Sequence, residues 1–183
     1  MVISISGASS TGKTTLFNKL KELFPQYNYI EETYRKAVNN KQINLDDPEE
    51  AFLFQYELGN DLKLPIFNIN QIYILDRCSF DNIIYLSLHF LRLDDELKKK
   101  YLFKYTESIL YSRSLIMNID YIFLTQGDNE IEDDNIRPGI YNDFRDQELS
   151  LFKTLIKTIH KSYLILPNNI NDRVQMIIDY IRE

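Results

Sequence analysis

The segment Val2-Ile3-Ser4-Ile5-Ser6-Gly7-Ala8-Ser9-Ser10-Thr11-Gly12-Lys13-Thr14 decides the fold of this 183-residue chain. Its residues 2–6 form a short, β-branched run, which predicts a strand. Two glycines then bracket a loop. After the loop, apolar residues return at helical spacing until Pro25, at Leu16, Phe17, Leu20, Leu23 and Phe24. The segment therefore predicts a strand, a glycine loop and a helix in direct succession.

The glycine loop, residues 7–14, matches the pattern GxxxxGK[S/T] in full. Such a loop wraps backbone N–H groups around a phosphate, and Gly12 lets the chain approach without a Cβ in the way. The following helix adds unpaired N–H donors at its N-terminus. We expect Lys13 to reach the β- and γ-phosphates and the Thr14 hydroxyl to ligate Mg²⁺. The predicted nucleotide contacts are Gly7, Ser9, Ser10, Thr11, Gly12, Lys13, Thr14 and Thr15. The alternative is a chance glycine turn with an exposed lysine.

Composition and charge exclude several classes of protein. With 21 basic and 27 acidic side chains the formal net charge is −6, so the chain is not expected to bind nucleic acid. The one cysteine, Cys78, cannot form an internal disulfide, and no Cys/His cluster has the spacing of a zinc site. No apolar run approaches the roughly 18 to 20 residues that span a bilayer, and the start of the chain lacks a signal-peptide pattern. We expect a cytoplasmic protein without membrane contact.

Strand and helix patterns alternate along the rest of the chain. Four more apolar runs predict strands at residues 28–30, 71–75, 121–124 and 163–166. Helical spacing and caps predict helices at 48 to about 62, from about 79, at 94–115 as one or two helices, at about 143–161 and from 172. This order predicts an α/β fold, a three-layer sandwich of about five parallel strands, as one domain over residues 1–183.

In a parallel sheet, ligands bind beyond the carboxyl ends of the strands. This rule puts the glycine loop, Glu31-Glu32, Asp76-Arg77 and the loop after the fourth strand along one rim. Asp76 could hold Mg²⁺ directly or through water, or accept a proton from the attacking group. Arg77 could neutralise charge on an acceptor or on the transferring phosphoryl group. The alternative is that Asp76 only caps the helix that begins near Ser79.

Residues that could bind or activate the molecule that accepts the phosphoryl group are expected near the second strand and in the helix after Pro48. Glu32 could activate an acceptor hydroxyl and Arg35 could bind an acceptor phosphate, with Glu31 the weaker candidate; a surface ion pair between Glu32 and Arg35 is the alternative. Gln55 and Tyr56 could hydrogen-bond to and stack on an acceptor base. Packing explains Gln55 and Tyr56 equally well.

The acidic segment 126–145 is predicted to be a lid. Arg137 and Arg145 could swing over the triphosphate and stabilise the charge that develops on the transferring group. Closure would also exclude water, which transfer to any other acceptor requires. The alternative is an acidic loop with incidental arginines. His89 and His160 have no partner of ligand type at a suitable spacing, so both are expected to be structural, and Cys78 is expected to be an ordinary buried side chain.

Together these motifs resemble those of the P-loop kinases of nucleosides and nucleotides, especially the NadR-like branch of AAA-type ATP-binding proteins that includes ribosylnicotinamide kinase domains. The matching pieces are residues 7–15, 32–35, 44–49, Asp76-Arg77 with Asp81, and 132–137 with Phe144-Arg145. The Asp-Arg pair is also similar to that of thymidylate and deoxynucleoside kinases. The resemblance implies an ATP- and Mg²⁺-dependent transferase with a lid, in which Lys13 holds the phosphates, Asp76 and Arg77 lie near the acceptor, and Arg137 and Arg145 close over the donor.

The predicted function is therefore a small-molecule kinase that transfers the γ-phosphoryl group of ATP to a nucleoside or a nucleoside monophosphate. Both acceptors stay open, because a hydroxyl needs a base such as Glu32 or Asp76, whereas a phosphate needs cations such as Arg35 and Arg77. The alternative is a nucleotide-dependent ATPase or switch that binds a protein partner. A GTPase is disfavoured, because residues 125–128 lack the N/TKxD motif. The expected partner is the small-molecule acceptor, and a homodimer is also considered.

Overall fold

The computed structural model describes residues 1–31, 37, 43–61, 67–126, 141–159 and 162–182, with side chains in the fifth helix from residue 147 onward. In these residues strands and helices alternate, except that two helices in succession separate the third strand from the fourth. The strands are β1 (Val2–Gly7), β2 (Asn28–Ile30), β3 (Tyr73–Asp76), β4 (Tyr121–Thr125) and β5 (Tyr163–Leu166). The helices are α1 (Lys13–Leu23), α2 (Pro48–Asp61), α3 (Ser79–Arg92), α4 (Asp95–Ile116), α5 (Tyr141–Ile159) and α6 (Ile170–Arg182).

The five strands form one parallel sheet in the order β2-β3-β1-β4-β5. All six residues of β1 are buried, because β1 is the central strand and has helices over both faces. The register pairs Ile5 with Asp76 and Gly7 with Thr125, so the ends of β3, β1 and β4 meet at one edge of the sheet. The predicted α/β class and the parallel sheet are confirmed.

Successive side chains of β1 point to opposite faces of the sheet, and the apolar ones belong to two separate hydrophobic cores. Ile3 and Ile5 point towards α1 and α6, where they pack on residues such as Leu16 and Ile177. Val2, on the other face, shares a core with residues of β3, β4, α3 and α5. Helices α2 and α4 pack on the outside of α3 in a smaller apolar cluster. The molecule is therefore a three-layer sandwich with one additional helical layer beside α3.

The observed bounds differ from the predicted ones by one or two residues at most ends, the usual uncertainty of such bounds. Strands β3 and β4 each continue one residue further than predicted, so Asp76 and Thr125 are themselves strand residues. The segment predicted as one or two helices is the single helix α4, capped by Asp94 through a bond from the N–H of Leu97. No helix in the described part of the chain is long and apolar enough to cross a membrane.

Candidate nucleotide-binding site

The glycine loop starts where β1 ends and is fixed by contacts with the end of β4. Gly7 has φ +139°, and a Cβ there would lie 2.5 Å from Thr125 Oγ1, so no other residue fits this position without displacing β4. The Thr11 hydroxyl donates to the Ala8 carbonyl at 2.8 Å and shares a hydrogen bond of 2.6 Å with the Thr125 hydroxyl. Gly12, with φ +81°, turns the chain into α1.

Lys13 is buried and folds back over the loop. Its Nζ donates to the carbonyls of Gly7, at 2.8 Å, and of Ala8. Burial of the ammonium lowers the pKa of Lys13 to about 7, and the charge of Arg77 acts in the same direction. The cation is therefore held at the loop by carbonyl oxygens, which are weaker partners than phosphate oxygens would be.

Asp76, the last residue of β3, and Thr14, at the end of the glycine loop, place a carboxylate and a hydroxyl side by side. The Thr14 hydroxyl donates to Asp76 Oδ2 over 3.4 Å, and Asp76 Oδ1 is buried with no hydrogen-bond partner among the described residues. Burial raises the pKa of Asp76, while Arg77 and Lys13 oppose the rise. An unpaired buried carboxylate oxygen is costly, so this position suits a cation.

Arg77 follows Asp76 in a left-handed conformation, with φ +73°, which is uncommon for a residue with a Cβ. Its guanidinium donates to the Tyr85 hydroxyl at 3.1 Å, lies 5.4 Å from the centre of the Tyr85 ring and is 3.5 Å from Asp81. Backbone strain of this kind costs about 1–3 kcal/mol and is concentrated at functional sites. The turn brings Arg77 to the carboxyl edge of the sheet, as predicted.

Asp81 joins the loop to the start of α3. Its carboxylate accepts from the Ser6 hydroxyl at 2.7 Å and from the N–H of Cys78 at 3.1 Å, and the N–H of Gly7 lies 3.5 Å away. The N-cap of α3 is therefore Cys78, and Asp81 completes the capping box. Asp76 does not cap this helix, so the capping role considered for that residue is wrong.

Two charged residues that sequence reasoning missed also hold the glycine loop. Glu148, on α5, is 1% exposed and accepts from the N–H of Ser9 at 2.8 Å. Arg173, on α6, is 2% exposed and donates to the carbonyl of Thr11 at 2.7 Å. A signal for each was present, because Glu148 shares a helical face with Phe152 and Arg173 shares one with Ile177, both buried. A charge at helical spacing within an apolar face indicates a buried polar contact.

The other residues singled out from the sequence have different environments in the structure. Gln55 is buried on α2, where it donates to Asn82 at 2.6 Å, and its Oε1 has no hydrogen-bond partner among the described residues. Tyr56 instead donates to Glu107 on α4, and Glu31 pairs with Lys21 on the surface. His89 is buried and Cys78 is a buried free thiol, in line with their predicted structural roles.

Several predicted residues lie outside the described part of the chain. They are Glu32, Arg35, Arg137 and His160, together with most of the proposed lid, residues 127–140. The backbone of Arg145 lies on α5, but its side chain is not among those that the structure describes. Thr15 is exposed on α1. The roles assigned to these residues stay predictions.

A family model described as an AAA domain matches residues 2–173. The chain belongs to this AAA domain family. The match covers the glycine loop at one end and Arg173 at the other, and P-loop domains of this kind bind nucleotides. None of the curated proteins matches the chain.

Solved structures share the fold of this AAA domain at low sequence identity. A NadR protein in complex with NR has 21% identity and a TM-score of 0.63 over 99% of this chain; the chain spans 50% of that protein. Deoxyadenosine kinase from M. mycoides has 13% identity and a TM-score of 0.72, covering 100% of this chain and 98% of its own. Thymidylate kinase from Ehrlichia chaffeensis has 18% identity and a TM-score of 0.58, with coverage of 100% and 98%. The AAA domain therefore has the fold of the P-loop kinases.

Proposed function

We propose that this AAA domain is an ATP- and Mg²⁺-dependent kinase that transfers the γ-phosphoryl group to a small nucleoside-type acceptor. The observation that carries the proposal is the meeting of three features at one sheet edge: the glycine loop, the Asp76 carboxylate 3.4 Å from the Thr14 hydroxyl, and the strained turn at Arg77. A phosphate-binding loop, a hydroxyl and carboxylate for Mg²⁺, and an arginine are recurring parts of phosphoryl-transfer sites. The kinase-like fold of the structural neighbours supports the same conclusion.

The oxygen donors of Thr14 and Asp76 fit Mg²⁺. The described residues contain no group of three His, Cys, Asp or Glu side chains that could hold a metal alone. A site with one carboxylate and one hydroxyl is nevertheless typical of Mg²⁺, which keeps several waters and takes its other ligands from nucleotide phosphates. When bound, Mg²⁺ would neutralise charge between the β- and γ-phosphates. The unpaired Asp76 Oδ1 is the structural observation that supports this assignment.

Lys13 and the loop amides would hold the donor. Phosphate oxygens would replace the carbonyls of Gly7 and Ala8 as partners of the Lys13 ammonium, and a stronger anionic partner would raise the pKa of Lys13 again. Lys13 would then stay positively charged while negative charge develops on the transferring group. Arg137 and Arg145 remain the proposed residues that close over this group.

The charges around the site favour a hydroxyl acceptor over a phosphate acceptor. Arg77, the nearest cation to the acceptor side, already interacts with Asp81 and Tyr85. Among the described residues, the buried carboxylates Asp76, Asp81 and Glu148 lie near the cations Lys13 and Arg77. The third cation at the loop, Arg173, bonds to backbone carbonyls instead. A second phosphate would add negative charge there, whereas a hydroxyl would not. Because Asp76 is assigned to Mg²⁺, Glu32 is the proposed proton acceptor, and Gln55 and Arg35 remain proposed acceptor contacts.

The test is a coupled ADP-release assay with a panel of nucleosides, nucleoside monophosphates and ribosylnicotinamide. We expect Mg²⁺-dependent turnover that a nucleoside stimulates more than its monophosphate does. The Lys13→Met variant serves as the control for contaminating kinases. ADP release that no acceptor stimulates would contradict the kinase and support the alternative, an ATPase or switch with a protein partner.

A further inference from the structure

The guanidinium of Arg173 lies behind the glycine loop and bonds to three separate backbone segments. Nη1 donates to the carbonyl of Thr11 at 2.7 Å, Nη2 to that of Gln126 at 2.5 Å and Nε to that of Pro167 at 2.6 Å. These acceptors belong to the glycine loop, the end of β4 and the end of β5. In the described part of the chain no carboxylate pairs with this buried cation, and its three hydrogen bonds all go to backbone carbonyls.

The contact with Thr11 bears on nucleotide binding through the geometry of one peptide. The carbonyl of Thr11 and the N–H of Gly12 belong to the same planar trans peptide, so they point in opposite directions. Because Arg173 holds the carbonyl on the outside of the loop, the N–H of Gly12 faces the inside, where a phosphate would lie. A hydrogen bond from a cation also polarises the peptide and strengthens the N–H as a donor.

The conformation of Gly12 supports the same geometry. Its φ of +81° belongs to the left-handed region, and a Cβ there would lie 3.2 Å from Arg173 Nη1. The glycine at this position therefore allows both the turn into α1 and the close approach of the guanidinium. Gly12 and Arg173 are therefore in close contact across the back of the loop.

We infer that Arg173 is a positioning residue of the nucleotide site, which orients and polarises the Thr11–Gly12 peptide for a phosphate group. The inference rests on the phosphate-binding half of the proposed function and does not need the transfer step. If the wild-type protein binds ADP but phosphorylates no acceptor, the proposed kinase falls and this inference still stands.

The experiment compares Arg173→Met and Arg173→Lys with Arg182→Met, an exposed arginine on the same helix. Calorimetry at low temperature gives the Kd of Mg·ADP, and thermal unfolding without nucleotide gives the Tm of each variant. We expect the Kd to rise about tenfold or more in Arg173→Met and about threefold in Arg173→Lys, whose ammonium cannot bond to three carbonyls at once. Arg182→Met should keep the wild-type Kd.

A purely structural role predicts a different result. Both Arg173 variants would then have a lower Tm but bind Mg·ADP with the wild-type Kd when folded, which would overturn the inference. If Arg173→Met does not fold, Arg173→Lys decides alone: a raised Kd supports the positioning role and an unchanged Kd refutes it. A wild-type protein that binds neither ADP nor ATP would overturn both the inference and the proposed function.

Discussion

At the scale of single residues, Lys13 has opposing effects on binding and stability. The ammonium is buried against carbonyls of its own loop, and its pKa falls to about 7, because burial disfavours the charged form. The buried charge of Lys13 therefore lowers the stability of the nucleotide-free protein, but it is needed to bind phosphate. Removal of the Lys13 ammonium should therefore lower activity without lowering stability.

Replacing Lys13 with Met should lower kcat/KM by two to three decades, which corresponds to about 3–4 kcal/mol of lost transition-state stabilisation. The Tm without nucleotide should not fall. The methionine needs no desolvation, which offsets the lost hydrogen bond to the Gly7 carbonyl, and the Ala8 carbonyl still accepts from Thr11. Steady-state kinetics and thermal unfolding measure the two effects. Wild-type turnover in this variant would contradict the assignment of the loop.

His89 provides a second prediction at this scale, one that concerns pH. Burial lowers the pKa of His89 to about 4, and the neighbouring Arg92 adds to the shift. The unfolded chain binds this proton near pH 6.5, so stability is lost as the pH falls from about 6.5 towards 4. The loss from this group amounts to at most about 3 kcal/mol.

The His89→Gln variant should lose less stability than the wild type over that pH range. Urea unfolding at pH 7, 6, 5 and 4.5 gives the two free energies, and their difference removes the contributions of other groups. Parallel pH curves for both proteins would show that His89 does not titrate as proposed.

At the scale of elements, α2 and α3 meet at a contact that only glycine permits. A Cβ on Gly59 would overlap the carboxamide of Asn82, which is itself held by Gln55 at 2.6 Å and Ser112 at 2.9 Å. In an unhindered helix, Gly to Ala adds about 0.5–1 kcal/mol of stability. The sign of this substitution should therefore depend on residue 82.

We expect Gly59→Ala to destabilise the wild type and to stabilise the Asn82→Ala variant by about 0.5–1 kcal/mol. A double-mutant cycle of urea unfolding free energies measures this change of sign. The same sign in both backgrounds would show that the two helices adjust their spacing without cost.

Most elements could be predicted from the sequence because their signals are local. The strand runs, helical spacing and glycine loop each lie within one segment, and the right elements follow in the right order. Contacts such as Ser9 with Glu148 and Thr11 with Arg173 join residues 139 and 162 positions apart. No local period encodes such pairs, because the fold alone brings them together.

Within the candidate site, the predictable part was the loop with Asp76 and Arg77, whose positions follow from the strand ends. The surrounding polar contacts were not predictable. Asp81 was noted only through its resemblance to a family motif, yet it links Ser6, Cys78 and Arg77 in the structure. The partners of Asp81 depend on the orientation of α3 relative to the sheet, which the sequence pattern does not define.

At the scale of the whole molecule, the site collects side chains from both halves of the chain. The loop lies near the amino end, while Glu148 and Arg173 come from α5 and α6. Binding at the loop should therefore stabilise the entire fold, by RT ln(1 + [L]/Kd), or about 2.7 kcal/mol when the ligand is at 100 times its Kd.

ADP with Mg²⁺ should raise the Tm of the wild type more than ADP with EDTA does, because Asp76 and Thr14 would bind the metal. In the Asp76→Asn variant the difference between the two increases should be clearly smaller, because only Thr14 and the phosphates still bind the metal. Thermal unfolding under the four conditions measures this, and a Mg²⁺-dependent difference as large as in the wild type would remove Asp76 from the metal site.

The reactivity of the Cys78 thiol can be used to measure local opening of the structure at the start of α3. The thiol is 7% exposed beneath the glycine loop, its Sγ lies 3.5 Å from the Ser6 hydroxyl, and burial raises its pKa to about 11. An alkylating reagent can reach it only when α3 separates from β1. Because the chain has no second cysteine, the rate of labelling by iodoacetamide would follow this separation without any engineered probe.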